Sequence, residues 1–214
     1  MFPAGLKVLY SDLNYILLGY LMEDLYGESL ARAFRSQVAG PLGMPDAQYG
    51  PVEASRAAAT ERDPDTGHIW RGVVHDENAR AAGGVAGHAG LFGTVDDLLR
   101  FGQMFLDEGR TATGETYVSP AVLRAWIAPR TRPEDGEIRA YGFQNPHPLS
   151  SAGDFLSPQA VGHTGFTGTS LWIDPAYDVV LVLLTNRVHP SRANNHHIRL
   201  RPRFHNAVMG ALRR

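Results

Sequence analysis

The chain has 214 residues, of which 43% are hydrophobic and 20% charged, a composition typical of a folded globular protein rather than a disordered one. With a formal net charge of −2 and no basic patch, nucleic acid is not expected as a partner. The chain has no cysteine, which excludes disulfide bonds and thiolate metal sites and leaves the localisation, cytoplasmic or exported, unknown.

The first predicted element is a helix. Apolar residues between positions 13 and 21 recur at helical spacing, Ser11 or Asp12 can cap the start, and Gly27 can close the end. The residues before this helix have neither the charged region nor the long apolar core of a signal peptide or membrane span.

The next elements are helices separated by a long irregular stretch. A short helix is expected from Ser29 to the Gly40-Pro41 pair, and residues 41–93 have no sustained periodicity. Thr94 and Asp97 form a capping box that begins another helix, and Ser119-Pro120 begins the one after it. Long loops inside a domain are unusual unless they build a site.

Strands are predicted only towards the C-terminus. Strand-like composition is found in three segments, 141–144, 167–173 and 179–184. A turn over 174–177 joins the last two, and an amphipathic helix is expected to begin near Pro202. Helices and loops followed by antiparallel strands and a packing helix predict an α+β fold.

Three sequence motifs carry a resemblance to a known family. They are Tyr10-Ser11-Asp12, the glycine-rich run GGVAGHAG at 83–90, and the run GHTGFTG at 162–168. In this order they resemble the superfamily of serine β-lactamases, penicillin-binding proteins and family VIII esterases. Members of that superfamily have an S-x-x-K helix, a Y-x-N loop and a K-T-G or H-T-G strand. The resemblance extends from Gly5 to the last helix.

The resemblance implies both a fold and a reaction. The fold is the α+β, β-lactamase/transpeptidase-like fold, here incomplete: antiparallel C-terminal strands flanked by helices, with part of the mostly helical domain. Residues 1–139 would form the helical and irregular part, and residues 140–214 the strands and the packing helix. The reaction is hydrolysis of an amide or ester through an acyl-enzyme, with a small molecule or a peptide as substrate.

The resemblance also implies roles for individual residues. Catalytic positions are Tyr10, Asp12 and His163. Substrate-binding and oxyanion positions are Thr164, Gly165, Phe166 and Gly168, with the backbone N–H of Phe166 in the oxyanion hole. The loop containing Gly87 and His88 is a second candidate for lining the cleft. A tyrosine beside a cation can act as a general base, and a glycine lets a substrate approach the backbone closely.

Each of these residues also has a simpler interpretation. Tyr10 can be a packing residue, Asp12 a helix N-cap, and His88 a surface residue. Asp12 replaces the family's asparagine and would repel a substrate carboxylate unless it is paired. His163 stands where many members have lysine, and it carries at most part of a positive charge at neutral pH.

The family's nucleophile is missing from this sequence. Covalent catalysis of this class needs a serine and a lysine three residues later on one helix face. Lys7 is the only lysine, and Ala4 stands three residues before it. No G-x-S-x-G motif offers another serine route. We therefore expect a chain truncated at its N-terminus that is inactive alone.

Two other functions compete with the hydrolase interpretation. One is a non-catalytic module that binds a peptide or cell-wall glycan on the same fold. The other is a metal hydrolase, suggested by four C-terminal histidines, His189, His196, His197 and His205. Because no H-E-x-x-H motif accompanies them, the sequence predicts no metal ion and no other cofactor.

Truncation has an expected structural consequence. Strand 179–184 would keep an open edge and an uncovered apolar face, because its family partners lie upstream. We expect the chain to associate with itself or with an upstream fragment.

Overall fold

The structure is a computed structural model that describes residues 8–131, 137–148 and 150–212. The chain forms two compact units. The first unit comprises Tyr10–Arg100 and Asn186–Asn194, and the second comprises the described residues outside those ranges. The division predicted between residues 139 and 140 stays a prediction. None of the helices in the described ranges combines the length and the apolar character needed to cross a membrane.

The first unit is mainly helical with two small antiparallel pairs of strands. Its helices are α1 (Asp12–Tyr26), α2 (Leu30–Phe34), which continues as a π-helical turn (Arg35–Ala39), a 3₁₀ turn (Ala54–Arg56) and α3 (Glu77–Ala81). Its strands are β1 (Gln48–Tyr49), β2 (Ala59–Arg62), β3 (Ile69–Arg71) and β4 (Leu91–Phe92). Strand β1 pairs with β4, and β2 pairs with β3.

The second unit contains the main sheet. The sheet is antiparallel in the order β5-β6-β7, with β5 at Val161–Thr164, β6 at Ser170–Asp174 and β7 at Val179–Leu183. Helix α5 spans Pro120–Ile127, α6 spans His197–Ala211, and α4 (Val95–Leu106) crosses the unit boundary at residue 100. A core cluster joins the sheet to α6 and consists of Ala152, Leu156, Ala160, Trp172 and Leu181, with Val208 and Met209 against it.

The predicted helix ends are confirmed where local signals define them. The Ser11 side chain accepts the N–H of Leu13 at the start of α1, and Gly27 adopts the left-handed conformation at its end. The Asp97 carboxylate accepts the backbone N–H of Thr94 at 3.0 Å, and the Thr94 hydroxyl accepts the backbone N–H of Asp97 at 3.2 Å. This reciprocal capping box begins α4.

Three predictions differ from the structure. Strands are not confined to the C-terminal part, because β1 to β4 and also α3 lie within residues 41–93, which were predicted to be irregular. Segment 141–144 is not a strand: it contributes only bridges from Gln144, to Arg139 and Gly162. Helix α6 begins at His197, five residues before Pro202, which lies inside it. Proline favours the first turn of a helix because it lacks the N–H that an interior position normally donates, but Pro202 lies beyond the first turn of α6.

Strand β7 has one partner strand and two covered faces. Only β6 pairs with it among the described residues. Val180 lies so close to Gly102 of α4 that a Cβ there would be 2.5 Å from Val180 Cγ1. Leu181, on the opposite face, belongs to the core cluster against α6. The expected open edge of β7 is present in the described part of the chain. The prediction of an uncovered apolar face is wrong, because α4 packs on one face of the strand and α6 on the other.

Several exposed apolar side chains lie on α1. Leu13, Leu17 and Leu25 are 66%, 67% and 70% exposed, and their spacing by multiples of four residues aligns them on one helix face. Gly19 is the buried residue of this helix. Within the described residues, α1 therefore presents a leucine stripe that is not buried.

Candidate functional site

The H-T-G motif lies at the end of β5 and in the turn to β6. His163 pairs with Leu171 and Thr164 with Ser170 across the two strands. The turn is closed by the N–H of Gly165, which donates to the carbonyl of Thr169 at 2.9 Å. Gly168 has a φ of 120°, a conformation that favours glycine. The four predicted residues from Thr164 to Gly168 thus lie on one tight hairpin.

Arg201 of α6 fixes the backbone of this hairpin. Its Nη2 donates to the carbonyls of Gly165 at 2.7 Å and Thr169 at 2.9 Å, and the residue is only 7% exposed. On the other side of the turn, the hydroxyl of Thr185 donates to the carbonyl of Gly168 at 2.5 Å. Arg201 was not found from the sequence, because nothing local links it to a turn 36 residues earlier.

Gly165 packs closely against a side chain of the same hairpin. A Cβ at this position would lie 2.2 Å from Thr169 Oγ1, so the space that a side chain would fill is occupied by Thr169. The predicted role of Gly165, to let a substrate approach the backbone closely, stays a prediction. Phe166, at the tip of the turn, is 57% exposed. The tip of the turn therefore lies at the protein surface.

His163 is a largely neutral residue in this site. Its Nδ1 donates to the carbonyl of Thr164 at 2.9 Å. Burial lowers the pKa of His163 below its usual value, and the positive charges of Arg139 and Arg201 lower it further. The H-T-G motif therefore offers a hydrogen-bonding imidazole at neutral pH, where a lysine would offer a fixed charge.

The tyrosine motif lies at the start of α1 in the other unit. Tyr10 is 49% exposed, and its ring centroid lies 6.4 Å from that of Tyr15. Ser11 is the N-cap and Asp12 the first helical residue. The capping role considered for Asp12 thus belongs to Ser11, which leaves the Asp12 carboxylate available for another role.

The glycine-rich loop packs directly on α1. A Cβ on Gly87 would lie 2.0 Å from the carbonyl oxygen of Tyr15, and one on Gly19 would lie 3.0 Å from the backbone nitrogen of Gly87. The hydroxyl of Tyr49 donates to the carbonyl of Ala86 at 3.2 Å, and burial raises the pKa of this tyrosine to about 12. These glycines let the loop backbone lie against the helix, and the adjacent His88 is held there.

His88 is buried and paired with Asp76. Its Nε2 donates to Asp76 Oδ1 at 2.9 Å, and its side chain is only 4% exposed, so the surface interpretation of His88 is wrong. Burial would raise the pKa of Asp76, but the N–H of Ala79 and the ring of His88 outweigh it and lower the pKa overall. Asp76 was not singled out from the sequence, although its position before Glu77 is typical of a helix N-cap.

The predicted residues fall into two groups. Asp12 lies with His88 in the first unit: one ligand atom each of Asp12, Asp76 and His88 lies within 4.8 Å of the others. His163 and the residues from Thr164 to Gly168 belong to the second unit. The four C-terminal histidines form no comparable group in the described ranges, and His205 instead bonds to the carbonyl of Ser151 and the hydroxyl of Ser170.

Comparison with known sequences identifies relatives along most of the chain. The family model described as Beta-lactamase matches residues 1–202. A putative D-alanyl-D-alanine carboxypeptidase of Salmonella typhi is 34% identical over 213 residues, covering 90% of this chain and 48% of that protein. The chain thus spans about half the length of the curated relatives it matches.

Solved structures agree on the fold. A penicillin-binding protein homologue from Caulobacter crescentus has a TM-score of 0.73 at 23% identity, covering 99% of this chain and 60% of its own. Simvastatin synthase from Aspergillus terreus has a TM-score of 0.69 at 16% identity, covering 98% and 57%. The predicted α+β, β-lactamase-like fold is confirmed, and the chain belongs to the Beta-lactamase family, serine hydrolases of the β-lactamase and D-alanyl-D-alanine carboxypeptidase type.

Proposed function

We propose that this chain supplies the tyrosine loop and the H-T-G hairpin of an acyl-enzyme hydrolase but not its nucleophile. The observation that carries the proposal is a family match over residues 1–202 in a sequence whose only lysine, Lys7, has Ala4 three residues before it. A serine hydroxyl at neutral pH needs an adjacent base to become a nucleophile. The chain alone is therefore inactive in the reaction of its family.

The H-T-G hairpin suits stabilisation of an oxyanion. An oxyanion hole works when its N–H donors are fixed before the reaction, so that no reorganisation is needed as charge develops. Arg201 holds the backbone at Gly165 and Thr169, on either side of Phe166. We assign the Phe166 N–H as one oxyanion donor, and the missing serine would supply the second.

The substrate class follows from the charges at the motifs. A neutral His163 and an aspartate at position 12 give less attraction for a substrate carboxylate than the lysine and asparagine of other members. We therefore propose an ester, or a peptide amide without a free carboxylate beside the scissile bond, in contrast to the substrate named for the D-alanyl-D-alanine carboxypeptidase relatives. Ordinary β-lactams are expected to be poorer substrates.

The missing segment also has a proposed docking surface. The leucine stripe of α1 is two-thirds exposed, and the chain spans about half of its curated relatives. We propose that the stripe packs against polypeptide equivalent to the unmatched half, the part that carries the S-x-x-K helix. Burying each leucine would contribute roughly 1.5–3 kcal/mol.

The coding sequence upstream of Met1 tests this proposal. An S-x-x-K motif, in any reading frame, is expected there. Co-expression of that segment with this chain should then give a complex that hydrolyses p-nitrophenyl esters, and His163→Ala should reduce the rate by about 10²-fold or more. His68→Ala, an exposed histidine of the other unit, is the matched control. A co-purified complex that never becomes acylated would contradict the proposal.

The alternative is a binding module, favoured by the absence of S-x-x-K from this sequence. The hydrolase and the binding module can be distinguished with a peptide that ends in D-alanyl-D-alanine. Calorimetry measures its binding to the chain, and an assay for free D-alanine measures its cleavage. The module predicts saturable binding by the chain alone without release. If the chain alone does not bind the peptide, the module interpretation is wrong.

A further inference from the structure

Residues 186–194 form a connecting segment that belongs to the first unit, although its neighbours in the chain on both sides belong to the second. The segment joins β7 to α6, and it lies along β2. The N–H of Arg62 donates to the carbonyl of Pro190 at 2.9 Å, and Nδ1 of His189 donates to the carbonyl of Thr60 at 2.9 Å. The chain thus passes from the second unit to the first and back again through this segment.

Arg192 attaches the connecting segment to two carboxylates of the first unit. Its Nε donates to Glu61 Oε2 at 2.6 Å, and its backbone N–H donates to Glu61 Oε1 at 3.0 Å. Its Nη2 also pairs with Glu77. A guanidinium can bridge two carboxylates because it has several donors in a fixed plane, whereas an ammonium acts as a single point charge. Arg192 therefore links the segment both to β2, which contains Glu61, and to α3, which begins at Glu77.

The Glu61 carboxylate depends on this arginine. The Glu61 side chain is only 15% exposed, so it relies on hydrogen bonds from the protein in place of water. Hydrogen bonds from Arg192 are the main cause that lowers the pKa of Glu61 to about 2, although burial acts in the opposite direction. His75 Nε2, at 3.0 Å, is a further partner of the same carboxylate. Loss of Arg192 would therefore remove the principal partner of Glu61 and the attachment of the segment together.

The residue immediately before the connecting segment contacts the H-T-G hairpin. Thr185 donates its hydroxyl to the carbonyl of Gly168 at 2.5 Å. The next residue, Asn186, donates its side-chain amide to the carbonyl of Ala59 in β2. Only one peptide bond separates these two residues, so Thr185 is held by β7 on one side and by the attached segment on the other. The place of the Thr185 hydroxyl on the hairpin therefore depends on the segment staying on β2.

We propose that Arg192 is a positioning residue for the H-T-G hairpin and acts on it through Thr185. By keeping the connecting segment on β2, Arg192 keeps the Thr185 hydroxyl on the carbonyl of Gly168 and limits the motion of the turn that contains Phe166. The effect is transmitted along the peptide chain. An oxyanion donor must be fixed before the reaction, so the catalytic meaning of this role rests on the proposed function. The ordering of the turn can be measured without any catalysis.

Amide hydrogen exchange of the full chain, measured by NMR, tests the proposal. The N–H of Gly168 donates to the carbonyl of Gly165 within the turn, so its exchange rate reports opening of the turn. Arg192→Gln should accelerate this exchange at least about threefold, the size of effect expected from a partly exposed ion pair. Tyr177, whose N–H closes the turn at the opposite end of the sheet, should keep its rate. Arg192→Lys should give an intermediate rate, because a lysine retains the charge but not the bridge.

Arg199→Gln is the matched control, because Arg199 is exposed in the first turn of α6 and lies outside the connecting segment. It should leave the exchange of Gly168 unchanged. Three results would overturn the proposal: an unchanged Gly168 in Arg192→Gln, an equal acceleration at Tyr177, or an equal effect of Arg199→Gln. Because exchange needs no nucleophile, a hydrolase that proved inactive would contradict the proposed function and leave this result standing.

Discussion

Arg201 holds together the turn on which the H-T-G motif depends. It reaches from α6 to the carbonyls of Gly165 and Thr169, each of which also accepts a backbone N–H of the turn. A charged donor of this kind contributes more than a neutral one, so its removal costs two charge-assisted hydrogen bonds, although each carbonyl keeps its backbone donor. The same contacts hold the backbone on both sides of the proposed oxyanion donor.

Substitution of Arg201 should therefore destabilise the chain. Arg201→Gln is expected to lower the free energy of unfolding by roughly 1.5–3 kcal/mol, the usual contribution of hydrogen bonds from a charged group, measured by urea denaturation. Arg203→Gln is the control, since Arg203 is exposed on the same helix, and should change it by less than about 0.5 kcal/mol. Equal effects of the two substitutions would show that Arg201 is not a structural clamp.

Gly87 gives a second prediction at the scale of single residues. A Cβ there would lie 2.0 Å from the Tyr15 carbonyl, so Gly87→Ala should destabilise the chain by about 1–3 kcal/mol. Gly210→Ala, in open space on α6, should be neutral or stabilising by up to about 1 kcal/mol. Thermal or urea unfolding of both variants checks this, and a neutral Gly87→Ala would mean that the loop can move away from α1.

The β5–β6 hairpin and helix α6 each carry one histidine with little access to solvent, His163 on the hairpin and His205 on the helix. His205 of α6 donates to the Ser151 carbonyl at 2.7 Å, and burial lowers the pKa values of both His205 and His163. A histidine whose folded-state pKa is lowered binds fewer protons when folded than when unfolded. Stability should therefore fall as the pH drops below about 6.5, the ordinary histidine pKa.

The pH dependence can be assigned by substitution. The urea midpoint of the unmodified chain is expected to be lower at pH 5.5 than at pH 7.5. His205→Gln should reduce that difference, because it removes one titrating group, whereas His68→Gln, at an exposed position, should leave it unchanged. A midpoint that rises on acidification would contradict the assignment.

Local signals predicted the ends of α1 and the start of α4, whereas the short strands within residues 41–93 and the long-range contacts were not predictable from the sequence. Ser11, Gly27 and the Thr94–Asp97 box act within one helical turn, so the sequence contains the whole signal. The clamp by Arg201 and the meeting of Asp12 with His88 depend on tertiary packing. No periodicity or motif encodes such contacts, although the family resemblance identified the segments involved.

At the scale of the whole molecule, the leucine stripe of α1 should determine association. Leu17 and Leu25 are 67% and 70% exposed, and contiguous apolar surface of this kind favours contact with another protein surface. Leu17→Gln with Leu25→Gln should lower the apparent mass in analytical ultracentrifugation without destabilising the chain. Val122→Gln, 58% exposed on α5, is the control. Association that persists in the double variant would exclude the stripe.

We propose that this chain has part of its family's scaffold without the family's nucleophile. The most direct measurement is intact mass spectrometry of the purified chain after exposure to a fluorescent penicillin and to an activated ester. We predict no covalent adduct with either reagent, because Lys7 is the only lysine and has no serine three residues before it. A stoichiometric acyl adduct on any serine of this chain would contradict the account.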